Sequence, residues 1–463
     1  MAHVSFLGLA VAGLLAATGL ASVSAPGNGR PSLAPASWPT TQQPADTLPN
    51  PLKIVFFGSS VPFGQGATGK YGYPARYAAL LAQRAAAGQG AAWTVANISV
   101  PGDNTTKVAA RWQRDLTPQR GRYVVLALSL GNEGIHGGGQ PIFEQFKTNL
   151  AQLVQRARAA GLVPVVANCY TRNDYTPEDY AFIKQMNLVL HGWDVPSINT
   201  LGAVDDGAGH WAPGYWDDAL HPNNAGHAEL AHALVPSLFD ALRAGKAAPQ
   251  RQPTAGVRLG AGGRAPASLV LRPETLLHPF TQVISFRTAG TGQLVTLQDS
   301  LASGSLAIEP GGVLAYTSPR GGRLASPQRV NDNRWHQLAL THYYAAGYTA
   351  LYLDGVEVGR RLPERLLTRQ LSLGGNRAPR QVQYRDWFFY RAGMNADELK
   401  ALAGNSLLQS SLELYAPLDG RRAQQPDSLI NLAQSTNGLL RLASPQFATP
   451  LQKSRKPSPK APR

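Results

Sequence analysis

Ile54-Val55-Phe56-Phe57-Gly58-Ser59-Ser60 is an apolar run of four residues that stops at a glycine and delivers two serines. A run this short reads as a buried strand, and the pattern continues beyond it. From Lys53 to about Leu242, similar runs (Trp93–Ile98, Tyr123–Leu130, Val163–Cys169) alternate with helix-like segments (Tyr73–Ala87, Thr105–Asp115, Ile142–Ala160, Pro177–Leu190, Ala225–Leu242). That alternation predicts a parallel sheet with helices on both faces. Sheets of this kind bind ligands outside the carboxyl ends of their strands, where Ser59 and Ser60 fall.

Some 160 residues later comes Asp218-Ala219-Leu220-His221. Serine is a weak nucleophile until a base lies within hydrogen-bond reach, and the base needs a third group to fix its tautomer and stabilise its charged form. A short loop with Asp218 and His221 supplies both from one piece of backbone. Two further segments follow strand-like runs: Ser99-Val100-Pro101-Gly102-Asp103-Asn104-Thr105 and Leu128-Ser129-Leu130-Gly131-Asn132-Glu133. The N–H groups of Gly102 and Ser60 and the Asn132 amide are candidate donors to a developing oxyanion, where preorganised dipoles count most. Together these parts predict an acyl-transfer site.

These segments resemble the blocks of the GDSL or SGNH hydrolases: Gly58-Ser59-Ser60 with Gly64-Gln65-Gly66 behind it, Gly102, Gly131-Asn132-Glu133, and Asp218-x-x-His221-Pro222-Asn223. The resemblance covers residues 52–245. It implies a flavodoxin-like α/β domain, Ser60 as nucleophile, His221 as base, Asp218 behind it, and an oxyanion hole of Ser60, Gly102 and Asn132. Two departures stand out. The usual Asp before the nucleophile is Ser59, and no residue separates Gly131 from Asn132. Ser59 is the competing nucleophile and Asp217 the competing orienter. His227 and His232 read as surface or packing residues, while His136, His191 and His210 show no usable partner spacing. The single cysteine, Cys169, excludes an intramolecular disulfide and sits in an apolar run, so it reads as a buried thiol.

After residue 245 the helical period largely disappears. Residues 246–267 are rich in Ala, Pro, Gln, Gly and Arg and read as a linker; from 268 to 445, short strand-like runs take over. They are Val283–Arg287, Leu294–Gln298, Gly312–Tyr316, Trp335–His342, Tyr348–Leu353, Gln381–Tyr390 and Leu412–Pro417, with a closing strand from Asn431-Leu432 through Leu442 and one helix at Ala396–Leu402. Asp354-Gly355 between two such runs signals a tight hairpin, because both positions accept positive φ. Many short strands with such turns predict an all-β sandwich or jelly roll. The stretch Asn333–Thr341 followed by Ala350–Gly355 resembles laminin-G-like, concanavalin-A-like modules. The composition shift predicts that each unit has its own core.

The ends and the charge complete the reading. Phe6–Leu20 is an apolar run of 15 followed by Val23-Ser24-Ala25, which predicts a signal peptide over residues 1–25 although only His3 precedes the run. The run is short for a membrane span, which needs about 20 residues. The expectation is an exported chain with no stable membrane span after cleavage. Residues 26–51 read as a Pro/Ser/Thr-rich linker and 446–463 as a basic disordered tail. Residues 1–245 hold 16 basic against 15 acidic side chains, whereas 246–463 hold 27 against 13, so nearly all of the net +15 lies in the second part. Such a balance favours acidic partners. No nucleic-acid motif is present, and nucleic acid is not an expected partner.

Three functions fit: an esterase that deacylates polysaccharide while the second unit holds the polymer; a lipid, lysophospholipid or aryl esterase; and a binding protein with an idle hydrolase domain. Tethering of catalyst to polymer favours the first. The expected chemistry requires no cofactor. Laminin-G-like modules sometimes carry calcium, but the sequence identifies no ligand cluster.

Overall fold

The computed structural model describes residues 49–259, 268–300, 302–419, 421, 428–437 and 441–443. The predicted leader, nearly all of the first linker and the basic tail lie outside them. No helix among the described residues is long and apolar enough to cross a membrane.

Five strands form the first sheet: β1 (Asn50–Gly58), β2 (Thr94–Asn97), β3 (Gly121–Ala127), β4 (Val163–Ala167) and β5 (Ser197–Ile198). They are all parallel, in the order β2-β1-β3-β4-β5. This is the flavodoxin-like order, in which the chain reverses direction across β1 and β3 and leaves a crevice at their carboxyl ends. The helices are α1 (Ser60–Phe63), α2 (Tyr73–Ala86), α3 (Thr105–Ala110), α4 (Ile135–Ala159), α5 (Pro177–Gly192), α6 (Leu201–Val204), α7 (Asn224–His232) and α8 (Leu238–Arg243). Alternation along β1 explains the two layers. Val55 and Phe57 pack with Phe146 and Leu150 of α4 and Ile183 and Met186 of α5, while Ile54 and Phe56 pack with Tyr77 of α2, Leu230 of α7 and Phe239 of α8. The stretch Ala225–Leu242, expected as one helix, is broken between α7 and α8, where Pro236 lacks the N–H a continuous helix needs.

The second unit is a sandwich of two antiparallel sheets. Its strands are β6 (Val257–Leu259), β7 (Ser268–Leu271), β8 (Phe280–Arg287), β9 (Gly292–Asp299), β10 (Ser303–Ile308), β11 (Val313–Thr317), β12 (Arg323–Arg329), β13 (Trp335–Tyr343), β14 (Tyr348–Leu353), β15 (Val356–Pro363), β16 (Thr368–Gly374), β17 (Val382–Tyr390), β18 (Leu412–Ala416) and β19 (Arg441–Ala443). One sheet runs β12-β11-β10-β9-β16-β7-β19, and the other β15-β14-β13-β8-β17-β18 with β6 also on β17. Phe286, Leu340, Leu306 and Leu371 are among the residues that fill the space between them. Asp354 and Gly355, at φ 51° and 81°, make the two-residue turn between β14 and β15. Helix α9 (Ala396–Ala403) lies within one residue of the expected helix and starts with an Asn395/Glu398 capping box.

Two expectations need correction. Residues 246–267 are not a free linker throughout, because Val257–Leu259 pair with β17 and add an edge to the sheet. Among the described residues of the expected closing strand, 431–437 are not a strand and Arg441–Ala443 pair with β7. Each unit has its own apolar core, as the composition shift predicts, but polar groups are paired across the boundary between them. Residues 409–411 lie along the two-residue edge strand β5: the Ser411 N–H donates to Ser197 O at 2.9 Å, and the Asn199 N–H donates to Ser411 Oγ at 2.8 Å. Glu398, fully buried, accepts from Asn199 Nδ2 and pairs with His191 Nε2, both at 2.8 Å. Arg391, 1% exposed, donates to His232 O at the end of α7 and forms a 2.7 Å ion pair with Glu413. Groups that would be unsatisfied in either unit alone are paired across the boundary.

Candidate active site

Gly58 ends β1 against β3 so closely that a Cβ there would lie 2.1 Å from Ala127 O, and only glycine fits this crossing. The chain then turns into α1, which places Ser60 at its first position with 7% exposure. Ser59, fully buried, meets the Tyr170 hydroxyl at 3.5 Å, and no histidine among the described residues hydrogen-bonds it.

His221 and Asp218 arrive on a loop closed at its base. The Asp217 N–H donates to His221 O at 2.9 Å, and Trp216 and Pro222 form a bridge. Asn223 locks the exit: its amide donates to Gly214 O and Trp216 O, while its Oδ1 caps α7 through the N–H groups of Ala225 and Gly226. Within this loop, Asp218 Oδ1 accepts from the N–H groups of Leu220 and His221 at 2.8 and 2.9 Å. Both Asp218 oxygens lie 2.9 Å from His221 Nδ1. Partial burial acts to raise the Asp218 carboxyl, but the His221 ring and these N–H groups outweigh it and hold the carboxyl below its ordinary range. A proton on Nδ1 facing the carboxylate leaves the Nε2 lone pair for Ser60 Oγ, 3.0 Å away. Ser60, His221 and Asp218 therefore form a continuous hydrogen-bonded chain, while Asp217 contributes backbone.

Gly102 and Asn132 border the same crevice. The Val100 N–H donates to Gly58 O, which draws the Gly102 loop to the end of β1. Gly102 has φ 77° and open space where a Cβ would stand. Asn132 Nδ2 donates to Asp103 O at 2.9 Å, which fixes the amide and uses one of its two N–H groups. The other remains for a substrate oxygen. Glu133 has a structural task beside it: Oε1 accepts from the Thr105 N–H at 2.5 Å and ties this turn to the start of α3.

Several supports were not visible from spacing. Arg111 is buried on the Phe57 ring, with its guanidinium 4.4 Å from the centroid, and pairs with Asp103 at 2.6 Å. It also donates to Ile98 O at 2.8 Å, so one side chain joins the ends of β1 and β2 to the Gly102 loop. His227 is buried: Nε2–H donates to Gln65 O at 2.8 Å and Nδ1 accepts the Tyr73 N–H at 3.3 Å. The Tyr73 bond needs the neutral ring, since a protonated Nδ1 cannot accept, and burial pushes the His227 pKa down to about 4. Since the unfolded value is near 6.5, stability from His227 is fully present above pH 6.5 and is lost as pH falls toward 4. His227→Gln should therefore destabilise less at pH 5 than at pH 7, by about 2 kcal/mol. Denaturant melts of both proteins at the two pH values measure this, and an identical difference at both would refute the neutral assignment.

The remaining histidines have other partners. His136 pairs with Asp179 and His210 with Asp206, while His191 lies in the boundary between the units. Cys169 is buried, and desolvation pushes its thiol up to about 12, which removes it as a nucleophile. Glu229, His232 and His278 hold potential metal-ligand atoms within 4.8 Å of one another. The two imidazoles, however, stack with centroids 3.9 Å apart and planes 15° apart. Ring-nitrogen lone pairs lie in the ring planes, so stacked rings do not aim them at one ion. His278 Nδ1 instead bonds Glu229 Oε1 at 2.8 Å, another contact across the boundary.

Residues 56–229 match the GDSL-like Lipase/Acylhydrolase family. No curated protein matches the chain. Among solved structures, a variant of Axe2, an acetyl-xylooligosaccharide esterase from Geobacillus stearothermophilus, is 17% identical; the match covers 40% of this chain and 94% of that one, with a TM-score of 0.33. LAE5, an alpha/beta hydrolase enzyme from the metagenome of Lake Arreo, is 23% identical over 40% of this chain and 94% of its own, with a TM-score of 0.32. With the family match lying across the crevice that holds Ser60, residues 56–229 form a GDSL-like acylhydrolase domain, and the chain is a carboxylic ester hydrolase.

Proposed function

We propose that this chain is an exported carbohydrate esterase that removes acyl groups, acetyl above all, from polysaccharide. The observation that carries the catalytic part is the Ser60–His221–Asp218 chain, with contacts of 3.0 and 2.9 Å. Ser60 Oγ attacks the ester carbonyl as its proton passes to His221 Nε2. The tetrahedral oxyanion takes hydrogen bonds from the N–H groups of Ser60 and Gly102 and the free N–H of Asn132. Collapse breaks the ester C–O bond, and His221 returns the proton to the departing alcohol. Water then attacks the acyl-serine, gives a proton to His221, and the acid leaves as Ser60 recovers its hydrogen.

The carbohydrate part is supported by the hairpin that carries the base. Trp216, two residues before Asp218 and bridged to Pro222, is 44% exposed, and an exposed indole suits the C–H face of a sugar ring. Attachment of the domain to a large β-sandwich suits a polymeric substrate. The test is parallel assay of the full chain on acetylated xylan, p-nitrophenyl acyl esters and lysophospholipids. Acetate release from xylan with short-chain preference on the aryl esters is expected. Turnover confined to lysophospholipid would replace this reading with a lipid esterase.

A further inference from the structure

The register of the second sandwich assembles an unusual surface. Trp335 of β13 pairs with Arg287 of β8, Arg287 with Gln383 of β17, and Gln383 with Arg258 of β6. Directly paired residues of antiparallel strands project to one face, so these four side chains form a row across four strands. The next row, two residues along, contains Gln337, Ser285 and Arg385. The residues between the rows, Phe286 and Tyr384, point into the sandwich core, so both rows lie on the outer face. Arg258 is exposed, while Trp335, Arg287 and Arg385 are half-buried.

Among the described residues, no carboxylate forms an ion pair with Arg258, Arg287 or Arg385, in a unit where most other buried or half-buried cations have one. The guanidinium groups of Arg385 and Arg287 lie 4.2 and 5.9 Å from the Trp335 ring centroid, and the Nε of each is buried without a hydrogen-bond partner. The indole reaches far enough across the sheet that a Cβ on Gly256 would stand 3.2 Å from its Cη2. This aromatic surface, with fixed guanidinium forks and the half-buried Gln383 amide beside it, offers a ring for the apolar face of a pyranose, donors for its hydroxyls and cations for an anionic substituent.

We propose that this outer face, from Trp335 to Arg258, binds an anionic polysaccharide, with Arg287 and Arg385 taking a carboxylate or sulfate of the chain and Trp335 stacking on a sugar ring. The proposal rests on the reading of the sandwich as the polymer-holding unit, and adds which face does so and the charge of the polymer. The edge strand β6, in a segment whose composition suggested only a linker, widens the platform by bringing Arg258 into line.

The experiment uses the full chain in affinity gel electrophoresis with polygalacturonate, dextran sulfate or neutral dextran in the gel. Wild-type protein should be retarded by an anionic polymer and not by dextran; the stronger of the two anionic polymers identifies carboxylate or sulfate as the ligand group. R287Q/R385Q should weaken that retention at least about 10-fold, with W335A weakening it as well, while R329Q/R360Q, which removes two exposed arginines elsewhere in the sandwich, should leave it unchanged. Thermal melts confirm folding, and if W335A does not fold the arginine pair decides alone. Unchanged retention in R287Q/R385Q, an equal loss in R329Q/R360Q, equal retardation by dextran, or tighter binding of single-stranded DNA would each overturn the proposal. Turnover of p-nitrophenyl acetate should be the same in every variant. Lost retention with intact turnover, or absence of turnover in the wild type, therefore separates failure of this surface from failure of the esterase reading.

Discussion

Ser60→Ala is expected to lower kcat on p-nitrophenyl acetate by about 10⁴- to 10⁶-fold, the scale seen when a triad nucleophile is removed. Its hydroxyl makes one side-chain hydrogen bond, to a loop histidine, so its loss should alter stability by about 1 kcal/mol or less. Steady-state kinetics together with a thermal melt test both statements. Ser59→Ala is the internal control: that hydroxyl faces Tyr170, and its removal should leave acyl transfer within a few-fold of wild type. Full activity in Ser60→Ala with loss in Ser59→Ala would transfer the nucleophile by one residue.

The second large effect comes from shortening the chain. A protein ending after Lys246 keeps Ser60, Gly102, Asn132, Asp218 and His221, and composition suggests that it should work on small esters. The structure predicts otherwise. It would lose the Ser411 contacts along β5, the Glu398 partner of His191 and Asn199, and the Arg391 bond to the end of α7. Ile198, Ala233, Val235 and Leu238, which line a small cavity with Pro249 and Leu412 across the boundary, would face water. Loss of several such contacts is comparable with the whole stability of a domain, about 5–15 kcal/mol. The expected result is insoluble protein or a melting temperature lower by about 10 °C or more, with ANS binding at room temperature. A soluble fragment with wild-type melting and turnover would show that the boundary is only adhesive.

The parts read correctly from sequence share a physical reason. Ile54–Phe57, Tyr123–Leu130 and Val163–Cys169 are apolar because both faces of a central parallel strand are covered, so each announces itself without neighbours. Three of the four site segments follow strand-like runs, while Asp218 and His221 lie on a loop between α6 and α7, and the chemistry proposed for Ser60, Asn132, Asp218 and His221 restricts the residue types. Strand β5 was missed because two residues carry no periodicity. The break at Pro236 was overlooked because apolar residues continue on both sides of it. Arg111, Glu133 and His227 support the site through contacts set by the tertiary fold, eight to more than 150 residues away, which spacing does not encode. The shared boundary was hidden for a similar reason: His191, Asn199, Arg391 and Glu398 look like surface residues until their partners are known.

The seal on β5 has a consequence for how the chain is made. Asn199 and Ser411 are 212 residues apart, and a ribosome adds about 5–20 residues per second. The catalytic half therefore leaves the ribosome about 10–40 s before the segment that closes its sheet edge has been synthesised. During that interval it presents an unpaired strand and unsatisfied polar groups to every neighbouring nascent chain, a hazard for misassembly. Maturation of the hydrolase is in this sense timed by its C-terminal half, and a chaperone that shields strand edges would act on this protein while its translation is still in progress.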